Sequence, residues 1–196
     1  MSSSLVVPLL IVGFAVANSF SENRHRAPIF EVCCEFEPFM AAPEDEKMKE
    51  CISEILGDPK SMNHSNPPTD QELEELAEKI ACIEECTAKK YELLDSDGNI
   101  VLAKLLEVAQ GKINGTFMEN HIEEAAKKCI EDIEKEIPKE SKCNPKPLFL
   151  SNCLFFRSLE NCPADQVKDK AKCETMIDEI KNGKFPHHFD PPPPEN

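Results

Sequence analysis

The run CLFFRSLENCPADQVKDKAKC, residues 153–173, places eight residues between Cys153 and Cys162, follows Cys162 at once with Pro163, and reaches Cys173 after nine more. Far upstream, three residues separate Cys82 from Cys86, and Cys33, Cys34, Cys51, Cys129 and Cys143 bring the total to ten. Thiols persist unpaired mainly in reducing compartments, so ten cysteines behind an apolar leader indicate an exported domain held by up to five disulfides. No metal or catalytic reading accounts for all ten.

The leader runs without a charge from Leu5 to Ala17, with small residues at Ala15 and Ala17, or Ala17 and Ser19, as cleavage positions. It is too short to span a bilayer. We therefore read residues 1–19 as a signal peptide and the product as secreted and extracellular. About 175 residues follow, enough for one domain with a sizeable core. The formal charge of −15 argues against nucleic acid and against stable association with anionic membranes, both of which call for basic patches.

Periodicity points to an all-α domain, a compact bundle of about six to seven helices over residues 20–183. Pro43 to Leu56 opens on Glu44, Asp45 and Glu46 and closes at Gly57 and Pro59. Thr69 caps the next helix with Glu72 three residues on, a capping box, and Leu73, Leu76, Ala77, Ile80 and Ile83 recur at helical spacing. Further helices are expected at Ile100 to Ala109, Thr116 to Ile137, Ser151 to Asn161 and Pro163 to Lys181. Ser65 to Pro68, Asp95 to Asn99 and Pro138 to Pro147 read as connections. From residue 184 to 196 the composition turns to a Pro-rich tail with His187, His188 and four consecutive prolines, which favours polyproline II.

On a helix Cys82 and Cys86 share a face and reach outward to other segments rather than to each other. Cys153 and Cys162 are about 900° apart at 3.6 residues per turn, so they would clamp one helix from two sides.

A cysteine on a first helix, a Cys-x3-Cys helix, a later cysteine and a closing Cys-x8-Cys resemble the insect odorant-binding proteins, with Cys51, Cys82, Cys86, Cys129, Cys153 and Cys162 in the six places. Pro163 after the sixth, together with the extra cysteines 33, 34, 143 and 173, is similar to the Plus-C subgroup. The turn Leu93 to Ile100 also resembles that family's inter-helix segment. The resemblance spans Cys33 to Cys173 and implies bonds Cys51–Cys86, Cys82–Cys153 and Cys129–Cys162. Cys33 and Cys34 would then go separately to Cys143 and Cys173, in either order.

The resemblance further implies a carrier of small hydrophobic molecules, such as odorants or pheromones, through extracellular fluid, with no reaction and no cofactor. Expected liners of an apolar cavity are Leu102, Leu105 and Leu106, then Phe117, Ile122 and Ile130, then Phe149, Leu150, Leu154, Phe155 and Leu159, although apolar residues at such spacing are more often plain core. Burying about 300 Å² of ligand at about 25 cal/mol/Å² gives about 7 kcal/mol gross, which sets micromolar affinity as a ceiling. The partners implied are the apolar ligand and a membrane receptor at the release site, with the carrier a monomer or homodimer.

Sharper readings mostly fail. Setting Gly98 at the glycine of a calcium loop puts Leu93 and Lys104 at ligand positions that need carboxylates. Cys33-Cys34 lacks the following His-Asp of a secreted phospholipase, and His187-His188 is a weak metal pair, so no catalytic or metal residue is assigned. Those two histidines could make the tail pH-sensitive if it packed over a pocket mouth. Asp70, Glu72, Glu74, Glu75, Glu78, Glu84 and Glu85 read as a solvated helix face. Asn63 and Asn114 head glycosylation sequons. The alternative function is a secreted, disulfide-rich protein-interaction module without a ligand cavity; a saposin-like lipid-perturbing protein and an enzyme rank below it.

Overall fold

The computed structural model describes residues 33–34, 45–57, 69–136 and 141–181. Within them lie six α-helices: α1 (Glu46–Leu56), α2 (Asp70–Lys90), α3 (Leu102–Ile113), α4 (Ile122–Glu136), α5 (Lys146–Glu160) and α6 (Lys170–Lys181), with a 3-10 turn at Phe117–Asn120. Among the described residues the only β pairing is an isolated bridge between Leu94 and Ile100. The leader, the Ser65 to Pro68 loop with nearby Asn63, and the tail with His187 and His188 lie outside the described residues.

Helix boundaries follow local capping. Asp45 is not in the first turn of α1 but caps it, its carboxylate accepting from the Lys47 and Met48 amides at 3.0 and 3.2 Å. The capping box of α2 forms as read: Glu72 N–H donates to Thr69 Oγ1, and Thr69 N–H donates to the Glu72 carboxylate. At its other end Glu92 takes φ 57, and Leu93 N–H donates back to the Ala88 carbonyl at 2.9 Å, a Schellman closure built without glycine.

Four helices depart from their expected spans, α3 starting two residues after Ile100 and running four past Ala109. The expected Thr116 to Ile137 helix is split, because the Thr116 hydroxyl accepts from Met118 N–H and starts a separate 3-10 turn before α4. α5 begins five residues before Ser151, with Pro147 in its first turn, where the missing N–H costs nothing. α6 starts at Lys170 rather than Pro163, where Asp169 accepts from Lys172 N–H at 3.1 Å and Gln166 N–H closes a turn on the Pro163 carbonyl.

Five disulfides join these elements: Cys33–Cys173, Cys34–Cys162, Cys51–Cys86, Cys82–Cys143 and Cys129–Cys153. Cys33–Cys173 is one of the bonds left open for Cys33, but Cys34 bonds Cys162 and not Cys143 or Cys173, so neither expected pairing of the four outer cysteines forms as a set. Cys51–Cys86 agrees with the resemblance. The other two implied bonds are corrected. Cys143 rather than Cys153 reaches Cys82, because the adjacent Asn144 N–H is held by Glu85 on the next turn of α2, at 2.9 Å. Cys153 instead faces α4 and bonds Cys129, with Cα atoms 5.7 Å apart. Cys162 lies past the end of α5, so it is on no helix face and is left for Cys34.

α1 runs antiparallel to α2, since Cys51 bonds Cys86 while Asp45 meets Tyr91. Met48, Cys51 and Ile52 of α1 pack on Ile83, and Ile80 and Ala81 on the next arc of α2 pack on Leu148 of α5. The main core is then enclosed by α2, α3, α4 and α5.

Candidate ligand-binding site

Nine of the eleven expected liners fall in the main core. Leu105 (α3), Ile122 (α4), Leu150 and Leu154 (both α5) are buried there, and Leu102, Leu106, Phe117, Ile130 and Phe149 pack on them while partly exposed. Residues from four segments meet because each helix turns its apolar stripe inward and Cys129–Cys153 pins α4 to α5. Phe155 and Leu159 are not with the others. They lie one turn apart on another edge of α5 and pack with Cys33, Cys173, Met176 and Ile177 in a second cluster under α6.

The spacing argument omitted several members of the main core. Ala88, Ala109, Ala125 and Ala126 sit in it at 0 to 5 % exposure, so three helices present alanines to its interior. Met118 is fully buried there too, on the 3-10 turn that the continuous-helix reading hid.

The acidic face of α2 requires a correction. Glu72, Glu74, Glu75 and Glu78 are exposed as read, but Glu85 is half-buried and Glu84 is 1 % exposed. At about 100° per residue, Ala77, Ile80, Ala81, Thr87 and Ala88 all lie within about 60° of Glu84, which places it at the centre of the buried arc. That was legible: extending Ile80 by four residues lands on Glu84. Neither Glu84 carboxyl oxygen nor the Thr87 hydroxyl, one turn on, has a hydrogen-bond partner among the described residues. Burial raises the Glu84 pKa to about 8, so the group is largely a neutral carboxylic acid at pH 7.

The neighbouring polar cluster is satisfied by contrast. Asn144 donates its side-chain amide to the Gly98 carbonyl at 2.7 Å and its backbone N–H to Glu85 at 2.9 Å, fastening the 95–99 turn and α2 to the start of α5. Gly98 has φ +78, a conformation that favours glycine, and a Cβ there would stand 2.9 Å from Asn144 Nδ2 and displace that side-chain amide. Asp95 accepts from the Asp97 and Asn99 amides at 2.9 and 2.8 Å, which makes it the organiser of this turn. Glu85, Lys89, Glu92, Asp95, Asp97, Asn144 and Lys146 line an open groove here. Its charged walls suit water or ions better than an apolar cargo.

Asn114 is exposed at the end of α3, directly before Gly115 and the capping Thr116.

Comparison with known proteins gives one family. The profile of the PBP/GOBP family matches residues 35–155, more than half of the chain. No curated protein and no solved structure matches.

Proposed function

The chain belongs to the PBP/GOBP family of odorant-binding proteins, and from that premise we propose that it is a secreted carrier of small apolar molecules, odorants or pheromones among them, held between helices α2, α3, α4 and α5. The observation that carries this reading is the convergence of Leu105, Ile122, Leu150 and Leu154 with partly exposed Leu102, Leu106, Phe117, Ile130 and Phe149. Apolar side chains that stay part-exposed around a shared core are where an apolar guest gains the most by excluding water. The family is a binding family, and the reading assigns no reaction to this chain.

The four cysteines beyond the six-place pattern ally the chain with the Plus-C subgroup, residues 1–19 direct export, and exposed Asn114 is an acceptor for N-linked glycan. Cargo would be handed to a membrane receptor at the release site.

Displacement of an apolar fluorescent probe from the oxidised protein by medium-chain alcohols, esters, aldehydes and fatty acids tests the carrier. Saturable micromolar displacement, lost on reduction of the disulfides, is the expected outcome. A folded protein that takes up neither probe nor panel would instead be the protein-interaction module.

A further inference from the structure

Glu84 stands apart from the other carboxylates of the described residues: it is 1 % exposed and its oxygens have no hydrogen-bond partner among those residues, and Thr87 beside it on α2 is 6 % exposed with its hydroxyl likewise unpartnered there. Buried polar groups are nearly always hydrogen-bonded, because an unmade bond leaves the full desolvation penalty standing. The position is also directional. One turn before Glu84, Ile80 and Ala81 close against Leu148, whereas one turn after it Ala88 belongs to the main core, where Ala109 of α3 and Ala125 and Ala126 of α4 also present small side chains.

We propose that Glu84 and Thr87 form the polar end of the ligand site and select an apolar molecule with an uncharged hydroxyl head, an aliphatic alcohol, whose chain lies past Ala88 along Ala109 and Ala126. This inference rests on the carrier reading above. A neutral carboxylic acid offers one O–H donor and one carbonyl acceptor, and an alcohol offers the complementary pair. A hydrocarbon leaves both unmet, and an ammonium head would have to bring a second charge out of water.

The test compares 1-decanol with decane as competitors for N-phenyl-1-naphthylamine on the oxidised full-length protein, in wild type and in Glu84→Leu, Glu84→Gln and Thr87→Val. The readout is the ratio of decanol to decane affinity, which cancels the apolar contribution shared by both. Glu84→Leu should lower the ratio about tenfold, and Thr87→Val about threefold, the worth of one or two neutral hydrogen bonds. Glu84→Gln, which keeps a donor and an acceptor, should largely preserve it. A ratio unchanged in Glu84→Leu and Thr87→Val overturns the anchor while leaving the carrier intact, and would mean that buried water satisfies these groups. Wild-type protein from which neither competitor displaces probe overturns the carrier reading itself. Should Glu84→Leu not fold, Thr87→Val decides alone, since it removes only a hydroxyl.

Discussion

Asp45 and Glu84 are carboxylates on the same α1–α2 half of the molecule, both largely withdrawn from water, with side-chain exposure of 11 % for Asp45 and residue exposure of 1 % for Glu84. Burial acts on both in the same direction, yet their acidities move apart. At Asp45 desolvation is opposed by the Tyr91 hydroxyl, the Met48 and Lys47 amides and the Lys112 ammonium, and together these hold its pKa below the ordinary value. Glu84 has only desolvation, and its pKa rises to about 8. The difference teaches that depth alone does not set the cost of a carboxylate; the count of donors pointed at it does. Asp45 ties α1 to the end of α2, while Glu84 is a standing cost that a guest can relieve.

The largest expected effect breaks this contrast at Glu84. A group whose folded pKa exceeds its unfolded value of 4.5 contributes stability that is full below pH 4.5 and is lost as pH rises toward 8. The loss across that window is on the order of 4 kcal/mol. Urea unfolding of wild type at pH 5 and pH 8 should show it, and Glu84→Gln should remove most of the slope. Equal slopes in the two proteins would mean that Glu84 is already partnered in solution. Asp45 has the opposite sign, since its lowered pKa gives stability present above the unfolded value and lost as the pH falls below it.

Next in size is Asp45→Ala. It uncaps α1, frees the Tyr91 hydroxyl and removes the ion pair with Lys112 at 3.6 Å. The cost at pH 7 should be about 2 kcal/mol, near the upper end for a helix cap. Tyr91→Phe removes a single member of that group and should cost about 1 kcal/mol. Because the two side chains share a bond, the double variant should lose less than the sum of the singles, and strict additivity in a chemical-denaturation cycle would disconnect them. Tyr91 carries a second reporter. Burial and then Asp45 push its phenol up to about 12, so a spectrophotometric titration should move toward 10 in Asp45→Ala.

How much of this the sequence disclosed depends on whether the information was local. The capping box at Thr69 and Glu72 and the stop at Gly57 were readable because their partners lie within four residues. The core liners from Leu102 to Leu154 followed from periodicity, yet Phe155 and Leu159 were misplaced because spacing does not say which neighbour an edge of α5 will meet. Cys51–Cys86 formed as the resemblance implied, whereas the partners expected for Cys82, Cys129 and Cys34 were wrong for the same reason. Which of Cys143 and Cys153 reaches Cys82 is decided by the Glu85 bond to Asn144 N–H, a contact across 59 residues. Glu84 was missed for a different reason. Its acidic residue type signals solvent, whereas its position in the helical arc, between Ile80 and Ala88, places it inside.

The smallest effect sharpens the comparison at the platform on which Asp45 docks. Glu92 directly follows Tyr91 and holds φ 57, a left-handed conformation that costs a residue with a Cβ and not glycine. Its side chain is 78 % exposed and meets Lys104 only at 3.8 Å, too open to return much. Glu92→Gly should therefore stabilise the protein, by about 0.5 kcal/mol once glycine's freer unfolded chain is counted against the relieved strain. The gain should appear as a higher midpoint of urea unfolding at unchanged slope, with the Tyr91 titration unmoved. A shift in that titration would show that the Schellman turn sets the reach of the Tyr91 hydroxyl toward Asp45. The donors that keep Asp45 acidic would then depend on how α2 ends, whereas Glu84, two turns inside the helix, would stay as it is.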